Sequence, residues 1–440
     1  MHYDVVVVGG GLGGLTAAAF LAREGMQTLV LEQARELGGR GRTHVVGGGF
    51  FFNQGPHALY AGMAGASVLA QLGIAVRGGT PSARGVAIAG DQLHTLPSGP
   101  WSMLSTSLLG WRAKLEVGGL FGRLKTLDPA AAQGKSWRDW ANATFAQPES
   151  RALLEALARL TTYVHDPERL DAGAALAQLQ GATLRGVLYL DGGWAQLVES
   201  LRSVAHDAGV TVRTGSRVTA VRRPVERPRS PSQEQGWNVL LAHGEQVFAT
   251  NLILAVGPEA ANRLLGEPLL DHRARPVRVA CLDVALERLP RPRPLFGIGI
   301  DEPLYYSVHT SAARLAPTGG AVIHVARYLG SCNAAEGTEA RLMRLLDDLQ
   351  PGWQDLVVDR RFLPNMVAAF DVPEAARRGL SGRPSVEVSG QPGLYRVGDW
   401  VGSVGLLADA SLASAKAAAE AILAHAPSSR EAEQNPAQGS

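Results

Sequence analysis

Cysteine is almost missing from this chain: Cys281 and Cys332 are the only two among 440 residues. They are too few and too far apart for a metal framework, and two thiols are compatible with a reducing cytoplasm. The eleven His fall in no HxxxH pattern and no CxxC is present, so no metal site is expected. Lysine is as scarce. Four Lys, at positions 114, 125, 135 and 416, stand against 38 Arg, and the span from 136 to 415 contains none. With a formal charge of +2 and no basic run interleaved with aromatics, the skew is compositional, and a nucleic-acid groove is not expected. The Arg275, Arg278, Arg288, Arg291 and Arg293 group reads as a solvated face.

Charge is also absent from residues 5–22, VVVVGGGLGGLTAAAFLA. Eighteen apolar residues are the lower edge of what a membrane-spanning helix needs. Five of them are Gly, and the four leading Val favour strand, so a strand, a turn and a helix are expected instead. A signal peptide fits poorly, because His2, Tyr3 and Asp4 stand where a basic cluster would be needed.

The turn carries chemistry. Gly9-x-Gly11-x-x-Gly14 follows the Val strand and opens the helix, with Leu12 and Gly13 inside the motif. Gly9 permits the turn, Gly11 leaves room for a pyrophosphate, and Gly14 lets helix pack on strand, so phosphates would sit on the helix N-terminus. A second strand, QTLVLE, ends in Glu32, eighteen residues beyond Gly14, where a ribose-binding acid is expected, with Gln33 beside it. Such an acid accepts ribose hydroxyls and disfavours a 2′-phosphate.

The next residues, QARELGGRGRT with Gly38, Gly39, Arg40 and Arg42, resemble the GGR element of the flavin-dependent amine oxidase and phytoene desaturase superfamily. FNQGPHALY, 52–60, resembles its GP element near the flavin ring, at Gly55, Pro56, His57 and Ala58. Residues 190–221 are similar to the segment whose strand, at Val218, lies against the adenosine side. TNLILAVGPEAANRLL, 250–265, resembles the strand returning to the nucleotide domain. GLYRVGDWVGSVGLLADASLASAKAAAEAIL, 393–423, resembles the second flavin motif, with Gly398 and Asp399 and a loop at Gly405, Leu406 and Leu407 beside the ring.

The resemblance implies an α/β fold: a Rossmann-type FAD-binding domain, of the glutathione-reductase or p-hydroxybenzoate-hydroxylase kind, interleaved with an α+β substrate domain. Residues 1–75, 187–268 and 388–425 would form the first, and 76–186 and 269–387 the second. The loop 225–236 is expected to be a mobile hairpin connection and 426–440 a disordered tail. In residues 101–125, Leu104, Leu108, Leu109, Trp111, Leu115, Leu120, Phe121 and Leu124 form an apolar stripe beside Arg112, Lys114, Arg123 and Lys125. A core-facing pair of helices, the stripe being interrupted at Gly118-Gly119, is the expectation; a helix lying on a membrane surface is the other reading.

The chemistry implied is oxidation on non-covalently bound FAD, with no Cys at 398–410 to form a cysteinyl flavin. The absence of a Ser-His-Asp order or paired-carboxylate motif agrees, because a flavin takes the hydride itself and the protein positions the substrate and excludes water. Many amine oxidases of the superfamily place a Lys near the flavin; the Lys-free span disfavours that type. Residues 303–329 and 414–423 resemble phytoene-desaturase-related segments, although the GSVGLLADAS loop lacks their Pro-Gly-rich form, and GPHAL is similar to protoporphyrinogen oxidases. The expectation is therefore desaturation or oxidation of a hydrophobic polyene, terpenoid or cyclic molecule, with dioxygen, a quinone or another electron acceptor. A polyene isomerase and a non-catalytic flavin- or lipid-binding subunit are the alternatives. His57 is the candidate proton shuttle. Tyr305 and Tyr306 alternate across a strand, so one faces the cavity, and Tyr306 is taken as the catalytic candidate. The protein is expected in the cytoplasm, with peripheral membrane contact as the variant.

Overall fold

The computed structural model describes residues 2–223, 236–266, 274–330 and 336–425. All but the last residue of the 225–236 loop, the 426–440 tail and Cys332 lie outside the described residues.

The opening run folds into the strand His2–Val8 and the helix Leu12–Arg23. Its four consecutive Val are buried because the strand is covered on both faces. Val5 and Val7 pack under the helices with Leu15, Leu412 and Ala415, while Val6 and Val8 join Leu29, Leu31 and Val239 on the other side. The strand order of this sheet is Thr211–Arg213, Thr28–Leu31, His2–Val8, Gln246–Leu254, Trp237–Leu241, Val218–Arg222, with Leu394–Arg396 pairing additionally to Gln246–Leu254. Its centre is parallel; Trp237–Leu241 and Val218–Arg222 are antiparallel. Helices Ala195–Asp207 and Leu407–His425 flank Leu12–Arg23. The facing residues Ala18, Ala19, Ala22, Ala415, Ala418 and Ala419 are small, which lets the helix axes approach closely.

A second seven-stranded sheet runs Val357–Ala369, Val277–Leu286, Ala321–Leu329, Leu304–Val308, Phe296–Gly299, Val86–Ala89, Gln92–Thr95. On one face Leu282, Val284, Tyr306 and Val325 pack against Leu342, Leu345 and Leu349 of the helix Thr338–Leu349. On the other, Val279, Cys281, Tyr305, Ala326 and Tyr328 form a separate cluster. The helices Trp111–Arg123, Pro148–Thr162 and Ala172–Arg185 complete this side. Trp111–Arg123 continues through Gly118 and Gly119 as one helix. The burial of Ala113, Val117 and Leu120 outweighs a propensity penalty of about 1 kcal/mol per Gly.

Candidate active site

A cavity of about 1160 Å³ runs from the glycine turn to the second sheet. At its nucleotide end, Gly9 has φ of 112°, a conformation that excludes most side chains, and its N–H donates to the Leu31 carbonyl at 2.8 Å. A Cβ on Gly14 would lie 2.0 Å from the Gly9 oxygen, so only Gly permits this helix-to-strand contact. Gly11 faces open space, its nearest neighbour being the Gly38 oxygen at 3.9 Å from a notional Cβ, and no side chain caps the helix that begins at Leu12. The free N–H groups and the positive end of that helix thus face an open groove.

Glu32 ends its strand with one carboxylate oxygen accepting from Gly10 N–H and the other from Ala34 N–H, both at 2.8 Å. Each oxygen retains a lone pair for a ligand hydroxyl. Arg40 donates to Asp399 at 2.7 Å and to the Ala368 carbonyl at 2.8 Å, and its guanidinium lies 4.4 Å above the Phe370 ring. These groups fit FAD: a helix start and a guanidinium for the diphosphate, a carboxylate for the ribose, and an open cradle where a Cβ would intrude.

Gly9, Gly11, Leu12, Gly13, Glu32, Gln33, Gly39, Arg40, Pro56, His57, Ala58, Gly398, Asp399 and Leu407 all line this cavity. Gly14 and Gly55 support the wall from behind it, and Gly405 and Leu406 precede the wall residue Leu407. Val218 is not on the wall; it is buried in the second core cluster of the nucleotide-binding sheet. Tyr306, the catalytic candidate, is not on the wall either. Strand alternation turns Tyr306 into the helix-covered core, where it donates to the Pro294 carbonyl and accepts from Gln350, while Tyr305 reaches the cavity.

His57 Nδ1 lies 3.0 Å from the Gly55 carbonyl, which can only accept, so this nitrogen carries the proton and Nε2 is the free acceptor. The ring meets Trp194 edge-on at 4.9 Å. Burial, followed by the fields of His324 and Arg40, lowers the His57 pKa to about 4, overcoming the Gly55 hydrogen bond. His57 is therefore neutral at physiological pH.

Several wall residues carry no local sequence signal. Tyr163 caps the helix Pro148–Thr162 with φ of 65° and donates to the Pro56 carbonyl at 2.8 Å; Tyr60 donates to the Thr161 carbonyl at 2.7 Å. Together they clamp the 56–60 segment to that helix. Asp409, in the first turn of Leu407–His425, accepts from Gly65 N–H at 2.6 Å through Oδ1, while Oδ2 is buried without a hydrogen-bond partner. Burial raises its pKa to about 6 against the lowering effect of that bond.

Behind Tyr305 lies a buried polar chain. Tyr305 and Tyr189 hydroxyls are 3.2 Å apart, and the Tyr305 hydroxyl is 3.2 Å from His309 Nε2. His309 stacks on Tyr189 at 3.8 Å and meets His324 edge-on. His324 Nδ1 is 2.6 Å from Asp283, which also pairs with Arg361 and accepts from Cys281. Burial opposes ionisation of Asp283, yet His324 and Arg361 outweigh it and hold its pKa low. Ligand atoms of Cys281, Asp283 and His324 lie within 4.8 Å of one another, a grouping that no HxxxH or CxxC spacing marks because it is assembled across two strands. Arg361 supplies the positive charge that Asp283 faces there, and burial pushes the Cys281 thiol far up.

The family model for flavin-containing amine oxidoreductases matches residues 12–423, and the chain belongs to that family. It is accordingly a flavin-containing oxidoreductase, and FAD is the flavin that the glycine turn, Glu32 and Arg40 fit. Among solved structures it is similar over 96% of its length to an oxidoreductase from Methanosarcina mazei, covering 100% of that chain at 17% identity and a TM-score of 0.71. Putrescine oxidase bound to putrescine gives 0.70 at 18% identity, covering 97% of this chain and 100% of that one. Cyclohexylamine oxidase from Brevibacterium oxydans gives 0.69 at 15%, with 98% and 100% covered. At such identities these likenesses carry the fold alone. Local sequence similarity extends to carotenoid 3,4-desaturase of Haloarcula japonica, 51% identical over 53 residues, 12% of this chain and 10% of that protein. It extends also to pseudooxynicotine dehydrogenase of a Pseudomonas species, 58% over 40 residues, 9% of this chain. The match spans only 8% of that dehydrogenase's length.

Proposed function

We propose that the protein desaturates or otherwise oxidises a neutral, hydrophobic small molecule, of polyene, terpenoid or cyclic type. One observation carries the reading. The charged residues lining the cavity are Glu32, Arg40, Asp399 and Asp409, all from the segments around the glycine turn and the last helix. The wall contributed by residues 76–186 and 269–387 has, among the described residues, no charge at all; it is built of groups such as Leu96, Phe121, Leu153, Leu157, Leu160 and Phe296. A protonated amine placed against it would lose its hydration without gaining a carboxylate on that side, at a cost of several kcal/mol.

Held by the glycine turn, Glu32 and Arg40, FAD would supply the hydride acceptor for a desaturation in which the substrate gives up a hydride and a proton, with dioxygen, a quinone or another acceptor as the final oxidant. The chain's own part is placement. The leucine and phenylalanine wall excludes water and holds the reacting C–H bond in one orientation. Tyr305, whose pKa burial raises far above its usual value, remains protonated and presents a hydroxyl dipole rather than a charge. His57 offers a neutral Nε2 acceptor.

The test is anaerobic bleaching of the flavin absorption band, titrating the purified yellow protein with polyenes, cyclic terpenoids, porphyrinogens and primary amines. Bleaching by a neutral apolar compound supports the reading. Bleaching by primary amines alone overturns it.

A further inference from the structure

The helices that close the apolar end of the cavity have a second face. Pro100–Ser105 and Trp111–Arg123 follow one another in the chain, and Pro100, Met103, Gly118 and Phe121 line the cavity. Their core contacts are made by Ala113 and Val117, packed with Leu153 and Ala156. What remains outside is unusual. Trp101, Leu104, Trp111 and Leu115 are 84%, 69%, 68% and 67% exposed, the four highest values for any large hydrophobic side chain among the described residues. The pairs are spaced i,i+3 and i,i+4, so each helix presents both of its members on one face. Lys114 Nζ donates to the Leu104 carbonyl at 2.7 Å and ties the two helices together. Single exposed hydrophobes need no explanation, but two Trp and two Leu on adjoining helices do.

Charge says what covers them. Residues 98–127 contain four basic side chains, Arg112, Lys114, Arg123 and Lys125, and a single acid, Glu116. Glu116 is engaged by the chain, accepting from Ala146 and Gln147 N–H at 2.9 and 3.2 Å. Three of the chain's four Lys, 114, 125 and 135, fall in or just after this stretch, against the Arg usage everywhere else. An apolar face that combines exposed Trp and Leu with basic side chains, one of them the Arg112 guanidinium 5.2 Å from the centroid of the Trp111 ring, matches the boundary between acyl chains and anionic headgroups.

We propose that this face docks on an anionic lipid bilayer, with Trp101, Leu104, Trp111 and Leu115 seated below the headgroups and the four basic residues at the phosphates. The protein lies on the surface through this face; none of the described helices is long and apolar enough to cross a membrane. Because the same helices line the cavity, a lipid-soluble molecule passes between them from bilayer to cavity without entering water. That last consequence rests on the proposed substrate class; the docking does not.

The experiment is flotation of the flavin-loaded protein with vesicles of phosphatidylcholine alone or mixed with phosphatidylglycerol. The protein is expected to float with the mixed vesicles and to be released in about 1 M salt, where the Debye length is about 3 Å. A double variant, Trp101→Ser with Trp111→Ser, removes only exposed side chains, so its flavin content and circular dichroism stay unchanged while vesicle binding falls at least about tenfold. Arg112→Glu with Lys125→Glu abolishes the preference for anionic lipid. Failure of the unaltered protein to float at low salt overturns the proposal, as does equal flotation of the Trp variant. Concentration-dependent dimerisation lost in the Trp variant, without vesicle binding, overturns it in favour of a second copy as the occupant. Failure of the substrate reading looks different: a protein that floats, yet whose flavin no apolar compound bleaches.

Discussion

Arg40 and Asp399, 359 positions apart in the sequence, form an ion pair of 2.7 Å on the wall of the cavity. The Asp399 side chain is almost fully buried and that of Arg40 about one-third exposed, so the pair joins the loop after the second strand to the turn before the last helix under partial solvent screening. Arg40→Ala leaves a buried carboxylate with the Phe370 amide, at 3.4 Å, as its remaining hydrogen-bond donor among the described residues and the Arg383 charge near it. A loss of about 1–3 kcal/mol in stability and a weakened hold on FAD are expected. Denaturant unfolding and flavin-release fluorescence measure the two effects, and Asp399→Asn, which keeps the shape, should cost less stability than Arg40→Ala.

Two glycines make opposite predictions. Gly14→Ala brings a methyl against the Gly9 carbonyl and should abolish FAD binding, read as a colourless purified protein. Gly119→Ala meets nothing within 4 Å in an exposed helical position, and should raise stability by about 0.5–1 kcal/mol. Equal effects of the two changes on thermal unfolding would contradict the role given to Gly14.

The His57 pKa lies below its unfolded value, so between about 4 and 6.5 the unfolded chain binds a proton that the folded protein refuses. The contribution to stability is complete above 6.5 and is lost as pH falls through that window. His165, lowered to about 4 chiefly by burial, adds to the same slope. His57→Phe should flatten the dependence of the denaturation midpoint on pH over this range without changing it at pH 8.

Asp409 has the opposite sign. Its folded pKa of about 6 exceeds the unfolded value, so the folded protein holds the proton more tightly and loses stability as pH rises through 6. Asp409→Asn should be stabilising by about 1–2 kcal/mol at pH 8 and neutral or unfavourable at pH 4, because Oδ1 can still accept from Gly65. A variant equally stable relative to the parent at both pH values would remove the ionisation from the account.

Asp283 is shared by His324 and Arg361 in a fully buried position. Asp283→Ala strands both partners and should cost about 3–5 kcal/mol. The Tyr305 side of the chain would loosen as well, since His309 sits between Tyr305 and His324. Unfolding of Asp283→Ala and of the double variant Asp283→Ala with Arg361→Met tests this: removing the stranded cation should recover part of the loss.

What could be read from residue order was whatever is local. Strand, glycine turn, helix and terminal acid lie within 32 residues, and each obeys a short-range rule of sterics or periodicity. The orientation of Tyr305 and Tyr306 was not readable, because alternation states that neighbours point oppositely but not which side is covered; the Thr338–Leu349 helix decides that from elsewhere in the chain. Asp283, His324 and Arg361 are separated by 41 and 78 positions and meet only through strand pairing. Leu104, Leu109, Trp111, Leu115, Leu120 and Leu124 have the spacing of a core stripe that Gly118-Gly119 interrupts. Tertiary packing divided the stripe: Leu109, Leu120 and Leu124 entered the core as expected, while Leu104, Trp111 and Leu115 stayed outside, and Ala113 and Val117 took their place.

The placement of the His2–Val8 strand also bears on the order in which the molecule can be made. It sits in the middle of its sheet between Thr28–Leu31, the next strand of the chain, and Gln246–Leu254, which is translated more than two hundred residues later; the helix Leu407–His425, which packs on Leu12–Arg23, comes later still. A ribosome therefore releases the glycine turn first and the groups that complete its pocket last. Until then Val5 to Val8 have an open edge, the condition in which nascent chains need guarding from one another. A cofactor that binds only the finished pocket then acts as the final check on a sheet whose first strand has waited longest.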